Sequence, residues 1–249
     1  MTPRIPSGWQ RAVLALAGAV LVAEAAQATG IQPESTILVV SEKDGEGQIA
    51  VQNTDDLPVL LNVVVRDLPG DDGIAIFATP AVSRIEARGR QVVRFMLEKP
   101  ETPLTVQHIK RVSFEGIPGE PLTASSDPQT RFRINVRHDI PAIISPAGLV
   151  QDNEPWKLLV VHRGDGGSLF LSNPSPFVVR MQPDLRDASG DHETLQPLER
   201  SYLLPREKVE LRPRPDRSTQ TLTAVRIRPA SPWGYGAPEH DIPVVSPSH

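Results

Sequence analysis

From residue 36 onward the apolar positions recur in short β-rich runs divided by turn residues. Residues 48–53 alternate apolar Ile49 and Val51 with polar neighbours, the period of a half-buried strand. An earlier strand is expected over 36–40, and Glu42-Lys43-Asp44-Gly45-Glu46-Gly47 reads as the turn between the two. The series continues over 59–66, 74–78, 91–97, 109–114 and 131–137, with no amphipathic helix between the runs. The stretch 140–154, Ile-Pro-Ala-Ile-Ile-Ser-Pro-Ala-Gly-Leu-Val-Gln-Asp-Asn-Glu, reads as a connection. A second series follows over 157–162, 168–171, 177–181, 201–204, 209–211 and 221–227, its first two strands joined by the hairpin turn Arg163-Gly164-Asp165-Gly166-Gly167. The expected architecture is all-β: two antiparallel sandwiches of immunoglobulin size in tandem, residues 29–145 and 146–249, with a cleft between them.

Composition sharpens this picture. The 249 residues include 26 prolines, and each proline inside a helix removes a hydrogen bond and clashes with the preceding turn. A formal net charge of -4 argues against a nucleic-acid partner, which needs a concentrated positive field. The N-terminus carries Arg4 and Arg11, an apolar run over 12–23 and the small-x-small site Ala26-Gln27-Ala28. That order is a secretory signal peptide over 1–28, cleaved after Ala28. Its apolar run is too short to span about 30 Å of hydrocarbon as a helix, so no membrane insertion is expected. The chain has no cysteine, which excludes disulfide scaffolds, thiol catalysis and zinc–thiolate sites in what reads as a secreted protein.

No catalytic pattern emerges. Gly-x-Ser-x-Gly and His-Glu-x-x-His are absent, and the six histidines stand singly, away from metal-ligand spacing. Gly164-x-Gly166 lacks a third glycine and lies between two strands, so it is a turn rather than a nucleotide loop. Arg163-Gly164-Asp165 matches an integrin tripeptide, yet a tight turn selects the same residues. The reading is a binding protein, not an enzyme, with no catalytic residue, cofactor or metal.

Several segments together resemble one family. Phe77-Ala78-Thr79-Pro80-Ala81-Val82-Ser83-Arg84-Ile85-Glu86, then Gly89-Arg90-Gln91-Val92-Val93-Arg94-Phe95, is similar to a stretch of periplasmic pilus chaperones, the PapD-like proteins of the chaperone–usher pathway. That family carries Thr-Pro-Pro, Arg-Leu-x-Pro and Gly-x-x-Gln-x-x-Arg there; Ala81 and Ala87 replace two of its prolines. Val51-Gln52-Asn53-Thr54 with Pro58, and Pro103 with Ile117-Pro118, fall in the family's order. Gln129-Thr130-Arg131-Phe132-Arg133-Ile134-Asn135-Val136-Arg137 resembles its seventh strand. Leu169-Phe170-Leu171-Ser172-Asn173-Pro174-Ser175-Pro176-Phe177 resembles its Leu-x-Val-x-Asn-Pro-Thr-Pro-Tyr, and Trp233-Gly234-Tyr235-Gly236 its closing Asp-Tyr-Gly.

The resemblance implies a periplasmic chaperone that stabilises pilus or fimbrial subunits by donor-strand complementation and delivers them to an outer-membrane usher. The alternative is a secreted two-domain adhesive or fibre-structural protein. In the family an Arg on the first strand and a Lys on the seventh hold the subunit's terminal carboxylate. The first position is Ile37 here, just after Thr36. The second is Arg133, with Arg131 and Arg137 as substitutes. The implied donor strand draws on Leu122, Ala124, Phe132, Ile134 and Val136. Arg137 also matches an Arg of the family's interdomain charge cluster, while Gly234 falls near its Asp.

Overall fold

A computed structural model describes residues 30–71, 73–118, 136–189 and 193–245. The alternation of Ile49 and Val51 is realised in an N-terminal sandwich built from β1 (Ile31–Pro33), β2 (Leu38–Ser41), β3 (Glu46–Asn53), β4 (Val59–Asp67), β5 (Ile76–Thr79), β6 (Val82–Ile85), β7 (Arg90–Leu97), β8 (His108–Pro118) and β9 (Arg137–Ser145). The strands follow the order β5-β7-β3-β2-β9-β8-β4-β6, with β1 added on β3. Strand β2 joins the two layers: it meets β3 antiparallel at Ser41 and Glu46, and runs parallel to β9 from Leu38 beside Ala142 to Ser41 beside Ser145.

The period of two sends alternate side chains inward. Val93 and Phe95 of β7 face Val112 and Phe114 of β8 and Ile140, Ala142 and Ile144 of β9 in one core. Phe95 and Phe114 meet edge to face, with ring centroids 6.2 Å apart. Burying such a side chain contributes about 1.5–3 kcal/mol, so these layers hold together without disulfides.

The C-terminal sandwich comprises β10 (Val160–Arg163), β11 (Leu169–Ser172), β12 (Val179–Arg180), β13 (Arg186–Asp187), β14 (Tyr202–Leu203), β15 (Lys208–Leu211), β16 (Ala224–Ile227) and β17 (His240–Val245). Six of these pair in the order β13-β16-β17-β10-β11-β15, and β12 pairs with β14. Trp156, Val161, Leu171, Leu211, Val225 and Ile227 belong to its core. The hairpin turn expected at 163–167 joins β10 to β11.

Several strand expectations change. The described part of the ladder expected at 131–137 starts at Arg137 and runs on to Ser145, so residues 140–145, read as connection, belong to it. Pro141 misled that reading, because proline is confined to sheet edges and strand ends; here it stands just before β2 takes up the edge of β9. Residues 131–135 lie outside the described residues. Residues 157 and 158, expected in a strand, belong to the 3₁₀ turn Pro155–Leu158, where a proline opens the turn and Trp156 is buried. Strands β1, β6, β13 and β17 stand where no strand was expected; in β17 Pro243 interrupts the apolar run.

The two sandwiches meet at a third apolar cluster of Ile37, Ile109, Ile143, Val178 and Tyr202. Polar contacts flank it. Gln107 donates its amide to the Pro176 carbonyl at 2.8 Å and accepts the Val178 amide at 3.0 Å through its side chain. The Tyr202 hydroxyl and Arg200 Nη1 both donate to the Pro69 carbonyl, at 3.1 and 2.8 Å. Glu42 fixes the exit from the first sandwich, its two oxygens accepting the Leu104 and Ala147 amides at 2.8 Å each.

Candidate functional site: an open strand edge that runs into an arginine-lined cleft

Strand β9 pairs with β8 from Arg137 opposite Glu115 to Ile144 opposite His108. On its other side β2 covers only Ala142 to Ser145. Strand β1, which precedes β2, pairs with β3 instead. Among the described residues, 137–141 therefore present an edge without a partner strand. Such an edge is a template for an added strand.

That edge ends in the cleft between the sandwiches. Continuing the β2–β9 register back by one sets Ile37 beside Pro141. Ile37, Ile143, Phe177, Val178, Pro232 and Trp233 wall an apolar cavity of about 190 Å³, and Arg180 of β12 lines it too. Arg180 also lines a second cavity, with Arg66, Arg111, Pro141, Asp139 and Arg200.

The charges in this second cavity are unequally paired. Asp139 takes both Arg66, at 3.1 Å, and Arg111, at 3.4 Å. Arg200 is paired with Glu207. Asp67 holds Lys110 Nζ at 2.8 Å, and this buried lysine also donates to the Asp71 carbonyl. Half-buried Arg180 has no acceptor among the described residues, and its Nη1 is enclosed without one. Burial first, and the neighbouring Arg111 guanidinium second, push Arg180 below its ordinary pKa. An arginine nevertheless stays charged at neutral pH.

Of the residues singled out in the sequence, Leu122, Ala124, Arg131, Phe132, Arg133 and Ile134 lie outside the described residues. Val136 is half-buried at the foot of β9, and Arg137 is exposed opposite Glu115, at the end of β9 away from the second sandwich. Ile37 is 7% exposed within the interdomain cluster, so apolar packing fills this position. Thr36 and Gly234 are brought together from opposite sandwiches: a Cβ on Gly234 would stand 2.4 Å from Thr36 Oγ1. Sequence reading missed Arg180, which between Val179 and Met181 looks like an ordinary outward residue of a strand. No local signal marks it.

Comparison with known proteins agrees with this geometry. Residues 30–150 match the family described as pili and flagellar-assembly chaperone, PapD N-terminal domain. The chain is 38% identical over 210 residues to the uncharacterized fimbrial chaperone YhcA of Escherichia coli K12, covering 84% of this chain and 88% of that one. The E. coli chaperone DraB shares its fold at a TM-score of 0.64 with 17% identity, over 87% of this chain and 97% of that chain. A chain of the Salmonella enterica SafA pilin–SafB chaperone complex does so at 0.65 with 14% identity, over 88% and 98%. These two likenesses carry the fold, two immunoglobulin-like sandwiches; the sequence relation carries the family. By that relation the chain belongs to the PapD-type family of pilus-assembly chaperones.

Proposed function

We propose that this protein works in the periplasm, where it lends a strand to pilus or fimbrial subunits and passes them to an outer-membrane usher. The observation that carries the reading is the edge of β9 at residues 137–141, without a partner strand among the described residues, in a chain of this family. A subunit strand added there gains main-chain hydrogen bonds, with alternate side chains supplying specificity. Leu122, Ala124, Phe132, Ile134 and Val136 are the proposed donor side chains, and Arg133, with Arg131 or Arg137 as substitute, the proposed strand-borne carboxylate anchor. The exchange needs no reaction and no cofactor, since strand addition stabilises the subunit by itself. The family relation favours this over an adhesive or fibre-structural role. The mature chain is proposed to start at Thr29, with the two sandwiches dividing at Ser145 and Pro146.

The test is co-expression of the tagged protein with fimbrial subunits, then purification from periplasm. The expected result is a soluble one-to-one complex with a chaperone that starts at Thr29. Arg133→Ala should lose capture at unchanged circular dichroism, because a desolvated charge-assisted pair costs about 2–5 kcal/mol when one partner is truncated. Subunits that aggregate equally with and without the protein would sink the function; normal capture by Arg133→Ala would sink that anchor.

A further inference from the structure

We propose that Asp71, His108 and Lys110 are positioning residues: they aim the Pro69 carbonyl at the C-terminal sandwich and so set how widely the cleft beside β9 opens. This rests on the strand-addition reading above only where subunit capture is measured.

Asp71 is 5% exposed and Lys110 0% exposed in the N-terminal sandwich. Burying such groups carries a desolvation penalty, and apolar residues of similar volume often hold a loop as well or better. What the polar groups add is direction, because a hydrogen bond weakens steeply as its angle departs from linear. Three successive residues of β8 grip one turn in this way. His108 Nδ1 donates to the Asp71 carboxylate at 2.5 Å, and the Ile109 amide donates to its other oxygen. Lys110 Nζ donates to the Asp71 carbonyl at 2.8 Å and pairs with Asp67 at 2.8 Å. The Asp71 amide closes the turn on the Leu68 carbonyl at 3.0 Å.

The tip of that turn meets the other sandwich. The Pro69 carbonyl accepts from both the Tyr202 hydroxyl and Arg200 Nη1, which occupies its two lone pairs. Arg200 is itself held, since Glu207 pairs with it and also accepts the Leu204 amide at 2.7 Å. Gln107, just before His108, grips Pro176 and Val178 directly. Residues 107–110 thus reach the second sandwich by two routes, one direct and one through the turn. Two routes resist a rotation that one would allow. The apolar seam of Ile37, Ile109, Ile143, Val178 and Tyr202 is small, and relative domain motion is the default across such a seam. Strand β8 carries β9 along its length, from Glu115 beside Arg137 to His108 beside Ile144. The angle set at 107–110 is therefore the angle between the edge of β9 and the cleft wall at Phe177, Val178 and Trp233.

Two measurements on the full chain purified from periplasm test this. In the first, NMR residual dipolar couplings report the orientation of each sandwich separately in wild type, Asp71→Ala and Lys110→Met. Wild-type couplings from both sandwiches should fit one alignment tensor. In each variant either sandwich should still fit by itself, but with two tensors that differ, a change that a loss of stability alone does not produce. Lys110→Met leaves the Asp71 carboxylate in place and covers the case in which the alanine variant does not fold. One shared tensor of wild-type orientation in a folded variant would overturn the proposal. In the second, Tyr202→Phe, Lys110→Met and the double variant are compared for capture of a co-expressed fimbrial subunit. Tyr202→Phe should lose roughly two- to tenfold, the net worth of one hydrogen bond. The double variant should lose no more than Lys110→Met, because both changes act through the Pro69 carbonyl and are not additive. Losses that multiply would place the action of Lys110 elsewhere and overturn the assignment. Failure of wild type to capture any subunit would strike the chaperone reading instead, and the tensors alone would then decide on the turn.

Discussion

Two asparagines show how single residues organise this fold. Asn53, the last residue of β3, and Asn173, just after β11, are each 0% exposed and lie in opposite sandwiches. Asn53 donates to the Leu57 and Glu86 carbonyls at 2.9 and 3.0 Å and accepts the Asp55 amide at 2.9 Å. Asn173 donates to the Phe177 and Leu204 carbonyls at 2.7 and 3.0 Å and accepts the Ser175 hydroxyl at 2.6 Å. In each case one short amide satisfies backbone groups of two separate loops that burial has removed from water. Asn53→Ala or Asn173→Ala orphans those carbonyls, and each should cost about 1–3 kcal/mol, read as a lower denaturation midpoint at unchanged m-value. A midpoint within error of wild type would show that water replaces the amide. Both positions were visible in the sequence as parts of Val-x-Asn and Asn-Pro-x-Pro segments. Their partners, 31 to 33 residues away, were not.

At the scale of the element, β2 decides where the open edge of β9 stops. It is four residues long and lies close against β3, so a Cβ on Gly47 would stand 2.2 Å from the Val39 carbonyl oxygen. Backbone cannot yield as a flexible side chain does. Gly47→Ala should therefore push β2 off β3, cost about 1–3 kcal/mol as overpacking does, and expose the amides of β2 to faster hydrogen exchange. Unchanged exchange across β2 would contradict that close approach. The same strand explains why the sequence reading of β9 slipped. Phe132, Ile134 and Val136 alternate like a strand, and so does the stretch from His138 to Ile144. The pairing of Phe114 with His138 and of Leu38 with Ala142 places the second stretch in the ladder, while Phe132 and Ile134 lie outside the described residues.

The whole molecule depends on the angle between its two sandwiches, since the cleft is made of both. Gly234 holds φ at +87°, a left-handed backbone that costs an L-residue about 1–2 kcal/mol, and it touches Thr36 across the interface. Gly234→Ala adds a Cβ where Thr36 Oγ1 sits, so the loop at Trp233 must move away from Ile37. The expected outcome is two sandwiches with intact circular dichroism, a changed interdomain angle in small-angle scattering, and weaker subunit capture. Wild-type scattering and capture together would show that the interface absorbs the methyl group without opening.

The sequence by itself determined the strand-rich class, the two-sandwich architecture and the family, because period-two alternation, turn residues and ordered motifs are local in the chain. It placed no charge at Ile37 and could not say why. The tertiary structure decided that Ile37 joins an apolar seam with Ile109, Ile143, Val178 and Tyr202, and that an arginine from β12 faces the same cleft without an acceptor among the described residues. Whether a cation is paired depends on which carboxylates fold around it. Arg180 meets Arg111 only through the docking of one sandwich on the other, and that distance is written in no single segment of the sequence.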